Sequence, residues 1–519
     1  MTLSRAINGL QGGVRLAAML AGLGFGFSAD AAIFDYHVDP ATGNDTTGNG
    51  SIAAPYATLS KAVAVVGVST GKRIGIKRGT TLRNDQVTLG ASNTYVGAYG
   101  AGARPELLGS SQAAVSSLTK VGNLYTLSGH TFDPFTLALT YGSGVIKLYM
   151  TALSGSNSAV VPTIEGEWTW FPATHATYPN QLKFYSTSTL TGWQVEVPQG
   201  GVARTGVSGR VPLTPLEDLS IRFWSGGGLA FEGSNSRALR VDASYNGADG
   251  KDVGVQAKDV YIAYGQNHYN GRRLGGGGGP GDGISFHSSG AFFSTGLIEF
   301  ESCIGNTQTG VGNQSGCQVV TRHCYFEDNY YDLNPYNTAG TPDGVHDFYY
   351  NVIVRKLRNS PWFNSNSTPG AANEGTIVRV RNNTIYFGSG LTATQVCNVQ
   401  GNTNTFDSNI FQSASAITNF GQMTTASGGA VETKMVFTNN QINGTTNVWR
   451  VLSTSFNQPQ TNTGTLLTNP LMADPANGNF ALQSGSPCIN SGSNWGQTRD
   501  YAGQPIIGIP DRGAYERAA

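Results

Sequence analysis

Charge is scarce in this chain. Only 12% of its 519 residues are Asp, Glu, Lys or Arg, and the 32 acidic and 32 basic residues cancel to a formal net charge of zero. With no basic run, binding to nucleic acid through its phosphates is excluded as an expectation. A low-charge chain with 39% hydrophobic residues does not have the composition of a disordered one. Cysteine is scarce too. Cys303, Cys317, Cys324, Cys397 and Cys488 include no C-x-x-C pair, so no zinc site is expected, and an odd number cannot pair completely into a disulfide framework. Long apolar runs are missing. Residues 16–27 are apolar but too short to span a bilayer. Arg5 and Arg15 precede or border that stretch and Ala29-Asp30-Ala31 follows it, which is the pattern of a cleaved signal peptide over 1–31. Glycines at 22, 24 and 26 disfavour a buried helix there. The mature chain is therefore expected to be secreted or periplasmic, with no membrane span.

What is abundant is glycine, 70 residues of it, with Asn, Ser and Thr spread throughout. That suits an all-β chain with many turns. Seven-residue segments recur through the second half: 297–303 (LIEFESC), 318–324 (QVVTRHC), 345–351 (VHDFYYN), 377–383 (IVRVRNN), 403–409 (TNTFDSN) and 434–440 (KMVFTNN). Their ends are 21, 27, 32, 26 and 31 residues apart, and weaker copies lie at 238–244 and 259–265. Within each, the second and fourth residues are mostly apolar and the third and fifth mostly polar, as in a strand with one buried face. Short strands follow (Tyr325-Phe326, Val352-Ile353-Val354, Ile385-Tyr386-Phe387) and others precede: 283–287 (GISFH), 310–313 (GVGN) and 331–335 (YDLNP). Three short strands per repeat predict the rung of a parallel β-helix. The end column, Cys303, Cys324, Asn351, Asn383, Asn409 and Asn440, would then stack at about 4.8 Å per rung as a hydrogen-bonded amide ladder.

These residues resemble the pectate lyase superfamily of right-handed parallel β-helices, which carries an asparagine ladder between its second and third sheets. The opening 36–40 (YHVDP), 43–45 (GND) and 54–59 (APYATL), the phrase 99–105 (YGAGARP), and the closing 469–475, 482–487 (LQSGSP) and 511–516 (DRGAYE) are also similar to that group. The resemblance covers about 36–110 and 215–516. It implies an all-β, right-handed, single-stranded parallel β-helix with three short strands per rung and an N-terminal cap helix over 58–66. Residues 111–200 depart from the pattern and read as an inserted β-rich module. Its tryptophans, in 165–170 (EGEWTW), serve either sugar stacking or the module's own core. The expected organisation is a signal peptide (1–31), cap and first rungs (32–110), inserted module (111–200), β-helix core (201–465) and closing segment (466–519).

The resemblance also implies a substrate cleft along the first sheet, whose strands would be 228–232, 252–256, 283–287, 310–314 and 331–335. Period-two alternation turns Ile284 and Phe286 inward and Ser285 and His287 outward, with Asp282 at the strand's start. Gln256, Gln314, Asn334 and Asp332 would lie beside His287. The glycine-rich loop 268–281 brings Arg272 and Arg273, and its glycines let backbone approach a ligand. This set has the parts for β-elimination on a uronic acid: a group to neutralise the carboxylate, a base for the C5 proton, and a donor for the leaving oxygen. His287 is the candidate base, Arg272 or Arg273 the carboxylate clamp, and Tyr331 or a water the donor. Asp282 and Asp332 would hold calcium or orient His287. Arg272, Lys356 and Arg358 are further candidates, since lyases of this superfamily use Arg or Lys as base with calcium.

The expected function is a secreted lyase on a uronate-containing polysaccharide, acting as a monomer. An inverting hydrolase is the alternative, with Asp282 and Asp332, or Glu301 and Asp347, as its two carboxyls about 6.5–9.5 Å apart. The N-T-D, D-D, G-H-G and R-I-K motifs of β-helix polygalacturonases are not present intact. C5 epimerisation shares the lyase's first step, and a non-catalytic sugar-binding adhesin is the third class. On the second sheet, Glu299, Glu301, Arg322, Asp347, Tyr349, Arg379, Arg381 and Asp407 are expected to face outward as solvated cross-strand pairs, and His346 to be buried.

Overall fold

The computed structural model describes residues 33–517 except 132, 135, 143–144, 152–159, 200–203, 272–280, 290, 315, 338–342, 368–375, 393–394, 401–402, 425–433 and 452–460. The expected signal peptide lies outside the described residues. Among the described residues, no helix is long and apolar enough to cross a membrane.

Three parallel ladders wind around one continuous core, which makes the fold a parallel β-helix. The repeating segments found in the sequence form the second ladder, a sheet of 13 strands that includes Thr295–Glu299, Gln318–Arg322, Val345–Tyr349, Ile377–Arg381, Thr403–Asp407 and Lys434–Thr438. The third ladder follows each of these through one corner (Ser302–Ile304, Tyr325–Glu327, Val352–Arg355, Thr384–Phe387), and the first ladder follows through another (Lys251–Val253, Ile284–Phe286, Thr309–Gln314, Tyr331–Asn337, Phe363–Ser367). Register stacks like on like: Ile298, Thr321, Phe348, Val380, Phe406 and Phe437 form one inward column. The outer stripe pairs charges across rungs, Glu299 with Arg322 at 2.5 Å and Asp347 with Arg379 at 3.3 Å.

At the N-terminal end, helix Leu59–Val66 lies over the first rungs and buries Leu59, Ala62 and Val66. Thr58 caps it by accepting from the Lys61 amide, and the Asp85 carboxylate accepts from the Leu59 and Ser60 amides. These acceptors satisfy the amides that a helix start leaves unpaired.

The corner between the second and third ladders carries the amide column. Asn351 Nδ2 donates to Asn383 Oδ1 at 3.0 Å, Asn383 to Asn409 at 3.0 Å, and Asn409 to Asn440 at 2.9 Å. Cys324 belongs to the column, its amide donating to Asn351 Oδ1. Cys303 does not. Ile298 pairs with Thr321 and Cys303 with Phe326, so Glu301 stands opposite Cys324 instead. Glu301 is therefore buried rather than outward, held by Lys251 Nζ at 2.6 Å and by Asn267 and the Gly265 amide. The residue preceding each ladder position is left-handed: Tyr264, Phe300, His323, Tyr350, Asn382, Ser408 and Asn439 have φ of 48–62°. Such a conformation costs about 1–2 kcal/mol per residue. Here the rings stack from rung to rung, Tyr264 on Phe300 at 4.9 Å and Phe300 on His323 at 5.0 Å, which offsets part of that cost.

A second amide ladder, unforeseen from the sequence, runs along the corner between the third and first ladders. Asn246 donates to Asn270, Asn270 to Asn306, Asn306 to Asn329, and Asn329 to Asp332, at 2.7–3.2 Å. It too follows left-handed residues, among them Tyr245, Tyr269, Gly305 and Asp328.

The departure from the repeat at 111–200 contains an eight-stranded, largely antiparallel sheet running from Ser110–Ala114 to Gln194–Pro198. Trp168 lies in this sheet's own core with Tyr125, Leu139, Leu182 and Phe184, and the Trp170 indole donates to the His130 carbonyl. Glu196 ties the sheet to the β-helix by accepting from Arg83, and it also accepts from Ser110 and Gln112 of its own sheet. At the other end, Met472, Phe480, Leu482 and Ala514 cover Val352, Val354, Tyr386 and Ile410 on the outer face of the third ladder. All five cysteines are free and buried.

Candidate active site

The outward face of the first ladder is set by alternation. Ile284 and Phe286 are fully buried in the core, so Ser285 between them and His287 beyond face out. Parallel register then aligns Asp252, Ser285, Gly312 and Asn334 in one column. Asp249 sits in the corner before Lys251–Val253, and Asp282 in the same corner one rung later.

These groups converge. Ser285 Oγ donates to Asp249 Oδ2 at 2.9 Å and lies 3.3 Å from Asp252 Oδ1. His287 Nε2 meets Asp252 Oδ1 at 3.0 Å. The Asp282 amide donates to Asp249 Oδ1, and Asp282 Oδ1 accepts from the Thr309 amide at 2.9 Å. The other Asp282 oxygen lies over Gly312. A Cβ there would stand 2.5 Å from it, so the glycine is required by the carboxylate's position. Gln314 forms the wall, accepting from the Ser288 amide and donating to the Tyr336 hydroxyl at 2.8 Å.

In this recess burial and like charge raise the proton affinity of Asp249 and Asp282. Burial, then the charge of Asp249, pushes Asp282 up to about 8. Burial, then Asp252, pushes Asp249 up as well. Burial alone would lower His287, but the hydrogen bond and charge of Asp252, with Asp249 and Asp282, outweigh it and raise the imidazole to about 9. Tyr336 is raised by burial and by the Asp282 charge. Asp249, Asp252 and His287 can each bring one donor atom within 4.8 Å of the others. Half-buried carboxylates this close together are a set of oxygen donors that fits a divalent cation.

Of the residues expected from sequence, His287, Asp282, Gln314 and Asn334 share this face. Asp332 does not join Asp282. It is fully buried at the end of the second corner ladder, with its Oδ2 2.8 Å from Arg355 Nε and its Oδ1 accepting from Asn329. The expected Asp282–Asp332 metal pair is thus not formed, because a buried arginine claims the second carboxylate. Gln256 is exposed in the turn after Lys251–Val253. Tyr331 starts its strand with its ring against Tyr330 at 4.7 Å. Lys356 pairs with Glu327 at 2.9 Å, and the amides of Lys356 and Arg358 donate to Asp328. Arg272 and Arg273 lie outside the described residues. The pairing of Glu301 with Asp347 is absent, since Lys251 holds the first inside and Arg379 the second outside. His346 is fully buried, and burial lowers it to about 3.

Sequence reasoning missed Asp249, Asp252, Ser285 and Tyr336 as site residues. The signal available was the parallel between 249–252 (DGKD) and 282–285 (DGIS), two Asp-Gly corners feeding adjacent strands.

No protein-family model matches this chain. No curated protein matches it in sequence. Among solved structures it is similar to the crystal structure of pectate lyase Pel9A, with 15% identity, 93% of this chain and 96% of that chain covered, and a TM-score of 0.51. A rhamnogalacturonan lyase matches at 12% identity over 91% of this chain and 95% of that one, with a TM-score of 0.41. The A-module of mannuronan C-5 epimerase AlgE6 from Azotobacter vinelandii matches at 12% identity over 79% and 94%, with a TM-score of 0.38. The likeness to Pel9A is one of fold, the pectate-lyase type of parallel β-helix.

Proposed function

We propose that this chain is a secreted enzyme acting on an acidic polysaccharide, and that it cleaves a uronate unit by β-elimination on the first ladder. The observation that carries the reading is the Asp249–Asp252–Asp282 cluster with His287 at its rim. Burial and the neighbouring carboxylate charge push Asp249 and Asp282 up, and the three carboxylates together raise His287. Such a recess favours added positive charge, and calcium is the proposed ion. Bound there, a divalent cation would neutralise the substrate carboxylate and so acidify the adjacent C5 proton.

His287 is the proposed base. With a cation on the carboxylates the imidazole would be neutral, its Nε2–H held by Asp252, and it would take the C5 proton on Nδ1 as the C4–oxygen bond breaks and the C4–C5 double bond forms. Tyr336, whose hydroxyl already lies in a hydrogen bond with Gln314, is the proposed donor to the leaving oxygen in place of Tyr331. Arg272 and Arg273 remain proposed clamps for the carboxylate. The inverting-hydrolase alternative loses support: neither of its expected carboxyl pairs forms, and Asp249 and Asp252 can come closer than 4.8 Å, short of the roughly 6.5–9.5 Å such a pair needs.

The test is a panel of uronate polysaccharides, followed by absorbance from unsaturated ends with and without a chelator. Unsaturated ends that vanish with His287→Ala support the reading. New reducing ends without the absorbance would replace it with hydrolysis, and binding without either product would replace it with a carbohydrate-binding role.

A further inference from the structure

The outward column that begins with Asp252 and Ser285 does not stop at the carboxylates. Past Gly312 it continues as three amides, Asn334, Asn364 and Asn398, on successive strands. Asn364 Nδ2 donates to Asn334 Oδ1 at 3.0 Å and Asn398 Nδ2 to Asn364 Oδ1 at 2.8 Å. This is a third amide ladder, and it differs from the other two in kind.

In both corner ladders each amide serves the main chain. Asn351, for instance, accepts from the Cys324 amide and donates to the Thr321 carbonyl, and Asn270 accepts from the Asn246 amide and donates to the Ala243 carbonyl. Those side chains replace hydrogen bonds that a turning backbone cannot make for itself. Asn334, Asn364 and Asn398 lie within strands whose main chain is already paired to both neighbours, and among the described residues their side chains bond only to each other. The fold has no turn for them to hold.

Their hydrogen-bonding capacity is left over. Each Nδ2 carries two protons and each Oδ1 two lone pairs, and the chain uses at most one of each. Asn334 and Asn364 are 6% and 4% exposed, and Asn398 Oδ1 is buried without a partner. The Asn398 oxygen is closed to solvent, so what a ligand can meet is the remaining amide hydrogens and lone pairs of the three side chains, which nothing claims among the described residues. Beside Asn334 on the same strand stands the outward ring of Tyr336, fixed by Gln314 and suited to packing against the face of a sugar.

We propose that this amide column, with Tyr336, binds uncharged sugar units, so that the ligand is a heteropolysaccharide in which neutral units adjoin the acidic one. The inference rests on the reading of the first ladder as a polysaccharide site, and it names the substrate class. An amide offers donor and acceptor together, which matches a hydroxyl or acetamido group. A carboxylate there would gain donors only and would face the Oδ1 lone pairs. The rung spacing of about 4.8 Å also lets a sugar chain lying across the strands meet one amide per rung.

The test is binding, measured by affinity electrophoresis on the full chain. Two homopolyuronates (polygalacturonate and alginate) are set against two mixed polymers (hyaluronan, alternating uronate with N-acetylhexosamine, and gellan, with one uronate among neutral sugars). Stronger binding to a mixed polymer is expected. Asn364→Ala and Asn398→Ala should each weaken it about tenfold, the loss of one or two neutral hydrogen bonds. The same variants should lower the midpoint of thermal unfolding less than Asn383→Ala does, since they break side-chain hydrogen bonds and none to the main chain. If a mixed polymer is cleaved, KM should rise while kcat holds. Preference for a homopolyuronate, or mixed-polymer binding that ignores both substitutions, overturns the inference while leaving the elimination reading standing. Binding to none of the four overturns both.

Discussion

Replacing Asn383 by alanine should open the β-helix at one rung. Its side chain has five hydrogen-bonding partners, with one of the two Nδ2 protons shared between two acceptors. Oδ1 accepts from the Asn351 amide at 2.9 Å and from Asn351 Nδ2 at 3.0 Å, while Nδ2 donates to Phe348 O, Arg381 O and Asn409 Oδ1, each at 3.0 Å. Asn383 is fully buried, so water does not replace them without local opening. Each buried group left without a partner costs about 1–3 kcal/mol, and the alanine strands two donors and at least one acceptor, for roughly 3–6 kcal/mol after relaxation. A stack of repeats need not unfold in one step, so a single unfolding free energy is the wrong observable. Hydrogen exchange reports the rung itself. A loss of 3 kcal/mol should speed exchange of amides in Val345–Tyr349 and at Asn351 by about a hundredfold. The Asn364→Ala exchange pattern in the same segment should match the unsubstituted chain, because that amide bonds no backbone. Acceleration below about fivefold in Asn383→Ala would refute the reasoning that the corner amides stand in for main-chain hydrogen bonds.

Gly312→Ala should lower kcat about ten- to a hundredfold with little change in stability, since its Cβ would stand 2.5 Å from Asp282 Oδ2 and push that carboxylate away; kinetics alongside a thermal melt check it. Lys251→Met should cost about 3–5 kcal/mol by stranding buried Glu301, and adding Glu301→Gln should recover much of it, read as melting temperatures in a double-mutant cycle. The closing segment should respond to pH in two directions. Burial and Asp511 raise Glu516 from 4.5 to about 7, so its stabilising contribution is full below about 4.5 and is lost as pH rises through 7; Glu516→Gln should flatten that limb of a proteolysis-versus-pH curve. Burial lowers His323 from 6.5 to about 4, so its contribution is present above 6.5 and is lost as pH falls from there to 4; His323→Phe should flatten the acid limb.

The winding was legible because strand alternation and a corner residue repeat together. Val378 and Val380 inward, Arg379 and Arg381 outward, then Asn383 at the turn, is a pattern that only stacked rungs explain. The earlier rungs were harder. At 297–303 the column residue is Glu301 rather than an amide, and Cys303, two positions on, imitated the small residue at the end of the next segment. The second corner ladder was hidden because its strands are only three residues long, too short for alternation to register. Its mark in the sequence is an aromatic or small residue before Asn, as in Tyr245-Asn246 and Tyr269-Asn270.

In the candidate site, His287 and Asp282 were visible because their strand alternates cleanly. Asp332 misled because its partner Arg355 comes from the next rung, and no local pattern announces that a carboxylate is claimed by a buried guanidinium. Asp249 and Asp252 were passed over for the reverse reason. Their strand begins with Lys251, which reads as a surface residue and is in fact fully buried against Glu301.

The closing segment has a mechanical meaning. Coils that touch only their neighbours can peel away one after another from a free end. Here the last stretch of chain doubles back, with His323 Nε2 within 3.3 Å of the Arg499 carbonyl, the Gly513 amide donating to Ser408, and Ser493 bonding Asn439. A strap fastened at both Asn439 and His323 makes the intervening coils let go together or not at all. Pulled from its C-terminus, the molecule should resist and then yield in one large event, where an unstrapped spring would unwind in small steps.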